Sequence, residues 1–281
     1  MNKILVYLKI LRPLNILLSI TSVIISAWLI NSIYSPLLPY TIIIVISFVG
    51  ASNILNDIVD VKIDKVNQPD RILASDRLKM KSAIVFTISL FLIGINFCQF
   101  IHPLGKYIAI FIVLPLSIIY TPILKKIPFI GNIVIGLILG SVFIFSESAI
   151  IGEISQMWIP FYLATILSII RELIKDAADI NGDSINNIST FPNKFGLKST
   201  LLLIRLLISI LFIISLMPWF NNIYNNYYIF LLIIGVLFPS FYVVFLKLNK
   251  KSTFTDYIQA AKLFKIITFC GMMVIFSTGI N

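Results

Sequence analysis

Long apolar runs separated by short polar stretches account for most of the chain. Nine of them approach the roughly 20 apolar residues that a membrane-crossing helix needs. They lie at 14–32, 38–60, 82–101, 105–121, 130–149, 157–178, 199–217, 225–246 and 260–280. The pattern predicts an all-α, polytopic membrane protein, with one embedded domain over residues 1–281 and no soluble domain. The fourth run is short and carries Pro115. The fifth is rich in small residues (Gly131, Gly136, Gly140 and Ser141), which suits close helix packing.

Polar residues enter this pattern in two matched places. The second run closes on Asn53-Ile-Leu-Asn56-Asp57-Ile-Val-Asp60-Val-Lys-Ile-Asp64. At about 100° per helical residue, Asp57, Asp60 and Asp64 fall within a sector of about 60°, with Asn53 among them and Asn56 beside them. The sixth run closes on Glu172-Leu-Ile-Lys175-Asp176-Ala-Ala-Asp179-Ile-Asn-Gly182-Asp183. Its aspartates hold the same three relative positions, 119 residues later. Three carboxylates on one stripe repel each other, and a hard divalent cation removes the conflict. Two such stripes at the ends of apolar helices are expected to face each other across one cavity.

Composition agrees with a membrane protein. The chain is 59% hydrophobic and only 12% charged, with mean hydropathy +1.01. Its net charge of +10 therefore speaks of orientation and lipid contact, not of nucleic acid. With the N-terminus in the cytoplasm, 21 of the 22 Lys and Arg residues fall on the inner side and only Lys106 lies outside. This predicts N-in, C-out topology in the cell membrane, with both acidic stripes facing the cytoplasm. Glu147 and Glu153 then lie on the outer side and are expected at the surface. Cys98 and Cys270 sit in separate apolar runs and imply packing, not a disulfide or a zinc site.

Paired Asp stripes on the inner ends of apolar helices describe a magnesium–diphosphate site open to lipid. Magnesium bridges carboxylates to substrate phosphates and helps a diphosphate leave. Apolar helices would hold a hydrocarbon tail. Together these imply transfer of an isoprenyl group. The metal candidates are Asp57, Asp60, Asp64, Asp176, Asp179 and Asp183, for what we expect to be two magnesium ions. Catalytic candidates are Asn56, Asp57, Asp60, Asp176 and Asp179.

The chain resembles the UbiA superfamily of intramembrane prenyltransferases over nearly its whole length. The residues that carry the resemblance are Asn56-Asp57-x-x-Asp60-x-x-x-Asp64, Asn67-Gln68-Pro69-Asp70-Arg71, Tyr120 with Lys125-Lys126, Gly131-Asn132 and the second Asp cluster. Arg12-Pro13-x-Asn15 matches the family's opening. The resemblance implies nine transmembrane helices around a central cavity. Within the superfamily, Arg171-Glu172-x-x-Lys175-Asp176-x-x-Asp179 looks most like the synthases that make the second ether bond of archaeal-type lipids. Two stretches depart from the pattern. Arg71-Ile72-Leu73-Ala74-Ser75-Asp76 stands where relatives usually have Arg-Pro-Leu-Pro-Ser-Gly. Ser189-Thr190-Phe191-Pro192 stands where Lys/Arg-Thr-Leu-Pro is usual.

Candidate substrate-binding residues follow. Arg71 would clamp the diphosphate, unless it is an ordinary inside-positive loop residue. Lys125 and Lys194 are either phosphate contacts or topology signals. Arg171 and Lys175 would hold an acceptor phosphate, and Arg171 is equally able to pair with Glu172. Asn15 either lines the cavity or bonds a neighbouring helix, and Asn53 shares the first stripe. The expected substrates are a prenyl diphosphate and a lipid-like acceptor, geranylgeranylglyceryl phosphate, with no obligate protein partner evident. An aromatic acceptor of quinone, haem or chlorophyll synthesis is the alternative. A cation or metabolite transporter is disfavoured, because the acidic stripes share one membrane face and their repeat is parallel, not inverted.

Overall fold

A computed structural model describes residues 3–185, 189–249 and 252–279. Among them every regular element is helical. In chain order these are α1 (Lys3–Ile10), α2 (Pro13–Leu29), α3 (Leu38–Val59), α4 (Val61–Asn67), α5 (Met80–Phe100), α6 (Pro103–Tyr120), α7 (Ile130–Ile150), α8 (Trp158–Ile185), α9 (Phe191–Phe220), α10 (Asn226–Lys247) and α11 (Phe254–Ser277).

Seven helices are long and apolar enough to cross a membrane, and α1 with α2 makes an eighth if that pair, bent by 61°, is one span. The remaining expected span, 157–178, falls on α8 except for its first residue. There Arg171, Glu172, Lys175 and Asp176 put four charges into the stretch that would cross. By apolar composition alone the described residues thus support seven or eight spans where nine are expected. The charge that makes α8 a poor span also makes it a candidate for function.

The chain forms two compact units. Residues 1–124 with 142–155 make the first, and residues 125–141 with 156–281 the second. In the first unit α3 packs against α2 and α5. Wide helical turns at Ile108–Val113 lead into Pro115. Proline lacks the N–H of a regular turn and its ring crowds the carbonyl one turn back, so a looser turn is a local solution. Glu147 corrects the sequence reading. It is fully buried, not at the surface, and its carboxylate accepts from Ser155 N–H (2.9 Å) and Ser155 Oγ (2.8 Å). A buried carboxylate needs such donors, and the turn after α7 supplies them. Glu153 is exposed as expected.

In the second unit α8 packs against α9 and α11. The small residues of α7 act as expected. A Cβ on Gly136 would lie 2.5 Å from Ile169 Cγ1, and one on Gly140 would lie 2.8 Å from the Phe161 carbonyl oxygen. Arg205 of α9 donates to the Leu248 carbonyl (3.1 Å) at the end of α10, where helix carbonyls lack partners. Cys98 is buried, Cys270 half-buried, and both are free thiols.

Candidate active site

Each unit carries one acidic stripe. In the first, Asn53, Asp57, Asp60 and Asp64 are all buried. The expected single helix is interrupted: α3 ends at Asp60 (φ −86°, ψ 3°) and α4 restarts at Val61. The hydrogen-bonding register survives the break, since Asp60 N–H donates to Asn56 O (2.9 Å) and Asp64 N–H to Asp60 O (2.8 Å). Asp57 and Asp64 therefore still share a face, and one guanidinium reaches both. Arg71 Nη1 lies 2.6 Å from Asp64 Oδ2 and 3.4 Å from Asp57 Oδ1, and Arg71 Nε donates to Gln68 Oε1 (2.8 Å). Burial pushes the Asp64 carboxyl above its usual range, more strongly than the facing Arg71 lowers it.

A second guanidinium comes from the other side. Arg12, at the bend between α1 and α2, donates to Asp57 Oδ1. Its backbone is left-handed (φ 55°, ψ 73°), unusual for a residue with a Cβ. Asn53 Nδ2 donates to Leu11 O (2.9 Å) and Asn15 Nδ2 to Asn53 Oδ1 (3.3 Å). The bond to a neighbouring helix, one of the two roles open to Asn15, is present. Asn56 accepts from the buried hydroxyl of Thr121.

The 71–76 stretch keeps a tight turn despite its departures from the family pattern. Asp76 stands where glycine is usual and itself adopts φ 55°, a conformation that Asp tolerates better than most residues. Its contact with Lys65 (3.4 Å) is exposed on both sides and contributes little. Asp76→Gly is therefore expected to unfold at the wild-type temperature or above. Asp76→Val forces a β-branched residue into that region at about 1–2 kcal/mol. Thermal unfolding in detergent checks both, and a valine variant as stable as the glycine variant would refute the strain.

In the second unit, buried Glu172 accepts from Arg171 Nη2 (3.2 Å) and Lys175 Nζ (3.3 Å), and the field of Lys125 also reaches it. Asp176 Oδ2 accepts from Asn132 Nδ2 of α7 (2.7 Å). Asp176 and Asp179 are half-buried. The Asp183 side chain lies outside the described residues. The Lys194 ammonium lies 5.5 Å from the Phe195 ring centroid.

Arg12, Thr121 and Asn132 are the site residues that the sequence reading does not single out. Arg12-Pro13 and Gly131-Asn132 carry the family resemblance, but their partners lie 45 and 44 residues away. Among the described residues, no three acidic, His or Cys side chains converge closely enough to hold a metal by themselves; Arg12 and Arg71 both meet Asp57 Oδ1, and Arg71 also meets Asp64 Oδ2. This donor set fits magnesium. That ion takes hard oxygens, is held by one or two carboxylates, and completes its shell with water and substrate phosphate.

A model of the UbiA prenyltransferase family matches residues 17–265. The digeranylgeranylglyceryl phosphate synthase of Methanosarcina mazei is 35% identical over 225 residues, 80% of this chain and 76% of the relative. The synthase of the same name from Methanosphaera stadtmanae is 31% identical over 229 residues, 82% of this chain and 83% of the relative. A solved structure described as digeranylgeranylglyceryl phosphate synthase in membranes superimposes with TM-score 0.79 at 28% identity, covering 100% of this chain and 99% of that one. A UbiA homolog from Archaeoglobus fulgidus, bound to GPP and Mg2+, shares the fold with TM-score 0.69 at 14% identity, covering 96% and 99%.

Proposed function

Because the chain belongs to the UbiA prenyltransferase family, we propose that it transfers a geranylgeranyl group from its diphosphate to the free hydroxyl of geranylgeranylglyceryl phosphate. The product is an ether lipid. The ether bond forms between the hydroxyl oxygen and C1 of the prenyl chain. The C1–O bond to the diphosphate breaks, and its electron pair leaves with the diphosphate. The hydroxyl proton passes to a carboxylate of the second stripe or to the departing diphosphate.

The observation that carries this reading is the buried Asp57–Asp60–Asp64 stripe with Arg12 and Arg71 converging on it. Asp57, Asp60, Asp64, Asp176, Asp179 and Asp183 are assigned to magnesium, on their matching spacing. Magnesium held there, two ions on this reading, would supply the charge that lets the diphosphate leave. Arg71 offers a planar guanidinium, suited to two-point contact with phosphate oxygens. Asn132 fixes the orientation of Asp176. Arg171 and Lys175 are assigned to the acceptor phosphate, with Glu172 holding both cations beside the stripe. Lys125 and Lys194 are assigned further phosphate contacts.

The same reading takes α8 as a ninth span and opens the site to the cytoplasm, with the N-terminus inside and the C-terminus outside. What supports it is the placing of 21 of 22 cations on one side. The acceptor rests on similarity to the synthases named above and on the extra cations around the second stripe.

The test compares geranylgeranylglyceryl phosphate with 4-hydroxybenzoate at equal concentration, with geranylgeranyl diphosphate and magnesium, using purified protein in detergent. The glyceryl phosphate is expected to be used at least about tenfold faster, a difference of about 1.4 kcal/mol in the barrier. Preference for the benzoate would overturn the acceptor and leave prenyl transfer standing.

A further inference from the structure

Arg71 opens a turn that is polar at both ends, with Gln68, Pro69, Asp70 and Arg77 all exposed. Its next two residues are not. Ile72 is 6% exposed and Leu73 3%. Both belong to one buried apolar cluster with Val6 and Ile10 of α1, Ala51 and Ile54 of α3, and Ala83 and Leu90 of α5. The Tyr7 ring meets Phe86 of α5 edge-on at 5.2 Å. Thus α1, the Arg71 turn and the helix that ends in the first acidic stripe share a single core.

Helix α1 is eight residues long. A helix that short is not stable by itself in water, so packing must hold it. Its bend into α2 is costly, since it puts Arg12 in the left-handed region. A plain span needs neither the bend nor the strain. Contacts to the site compensate both: Leu11 O with Asn53, Arg12 with Asp57, and Val6 and Ile10 in one buried apolar cluster with Ile72 and Leu73. Ile4, Leu5 and Leu8 lie outside this contact and are exposed.

We propose that Val6 and Ile10 are positioning residues for prenyl transfer. Through Ile72 and Leu73 they hold the turn that lays Arg71 across Asp57 and Asp64, and so set the affinity for the substrate diphosphate. This rests on the function proposed above, but its readout is diphosphate binding and needs no acceptor. A wrong acceptor and a wrong positioning role are therefore told apart.

The experiment measures the Kd for geranylgeranyl diphosphate with magnesium in detergent, together with kcat and Tm. Val6→Ala/Ile10→Ala is expected to raise Kd about tenfold and to change kcat less than about threefold, tenfold corresponding to about 1.4 kcal/mol. Ile10→Leu keeps the apolar volume and is expected to retain the wild-type Kd. Ile4→Ala and Leu8→Ala, on the exposed face, are expected to leave Kd unchanged. In an Arg71→Ala background the double truncation is expected to add nothing to Kd, because contacts acting through one group are non-additive. Should the double truncation fail to fold, Ile10→Val makes a smaller cut, with an expected rise in Kd of about threefold. An unchanged Kd overturns the proposal. So does a rise that persists undiminished without Arg71, which would mean that α1 supports the fold in general.

Discussion

Asp57→Asn, Asp60→Asn and Asp176→Asn are each expected to lower kcat/KM for prenyl transfer by at least about 100-fold, while the protein still inserts and folds. The argument is one of charge. Removing a carboxylate from a magnesium–diphosphate site takes away several kcal/mol of stabilisation where the leaving group gains charge, and about 2.7 kcal/mol is already 100-fold. Asn has the same size and keeps an oxygen that Arg12, Arg71 or Asn132 can donate to. Packing around the three positions is thus preserved, and a loss of turnover cannot be ascribed to a collapsed site. Far-UV circular dichroism and detergent Tm establish folding, and steady-state kinetics across a magnesium titration establishes the rest. Near-normal kcat/KM in all three at saturating magnesium would sink the assignment of these carboxylates to the metal.

The first stripe was legible because one helical period puts its three aspartates on one side. The period survives the break at Asp60 because backbone bonds continue through it. Arg71 was legible because it follows the stripe closely enough for a turn to bring it back. What the sequence hid depends on contacts remote in the chain. Arg12 counts equally well as an inside-positive residue, until the left-handed bend aims it at Asp57. Thr121 meets Asn56 across 65 residues, and no local pattern records that. Glu147 reads as a surface residue because the turn that brings Ser155 to its carboxylate leaves no local pattern. The Asp76 departure shows in the sequence, but not that aspartate keeps the positive φ of the glycine position. The span count differs for the opposite reason. Hydrophobicity finds helices that satisfy lipid, whereas α8 carries four charges within its crossing length.

Arg12→Ala is expected to destabilise the protein by about 2 kcal/mol in chelator, and Asp57→Asn added to it is expected to restore most of that loss. Breaking a fully buried ion pair by removing one partner costs about 3–5 kcal/mol, because the other charge is stranded. Here the Arg12 side chain is 30% exposed and Arg71 remains 3.4 Å from the same oxygen, which brings the figure down. The stranded charge is the cause, so neutralising Asp57 removes the cause. The doubly substituted protein should therefore be more stable than the single variant, although it has lost one more native side chain. Backbone strain is separated by a third variant. Arg12→Gly also loses the guanidinium but relieves the left-handed conformation, worth about 1 kcal/mol, and so should lie between Arg12→Ala and the wild type. All four proteins are compared by unfolding in detergent with EDTA. If Arg12→Ala is as stable as the wild type, or if Asp57→Asn lowers its stability further, the ion pair does not hold the bend of α1 and α2 onto the acidic stripe.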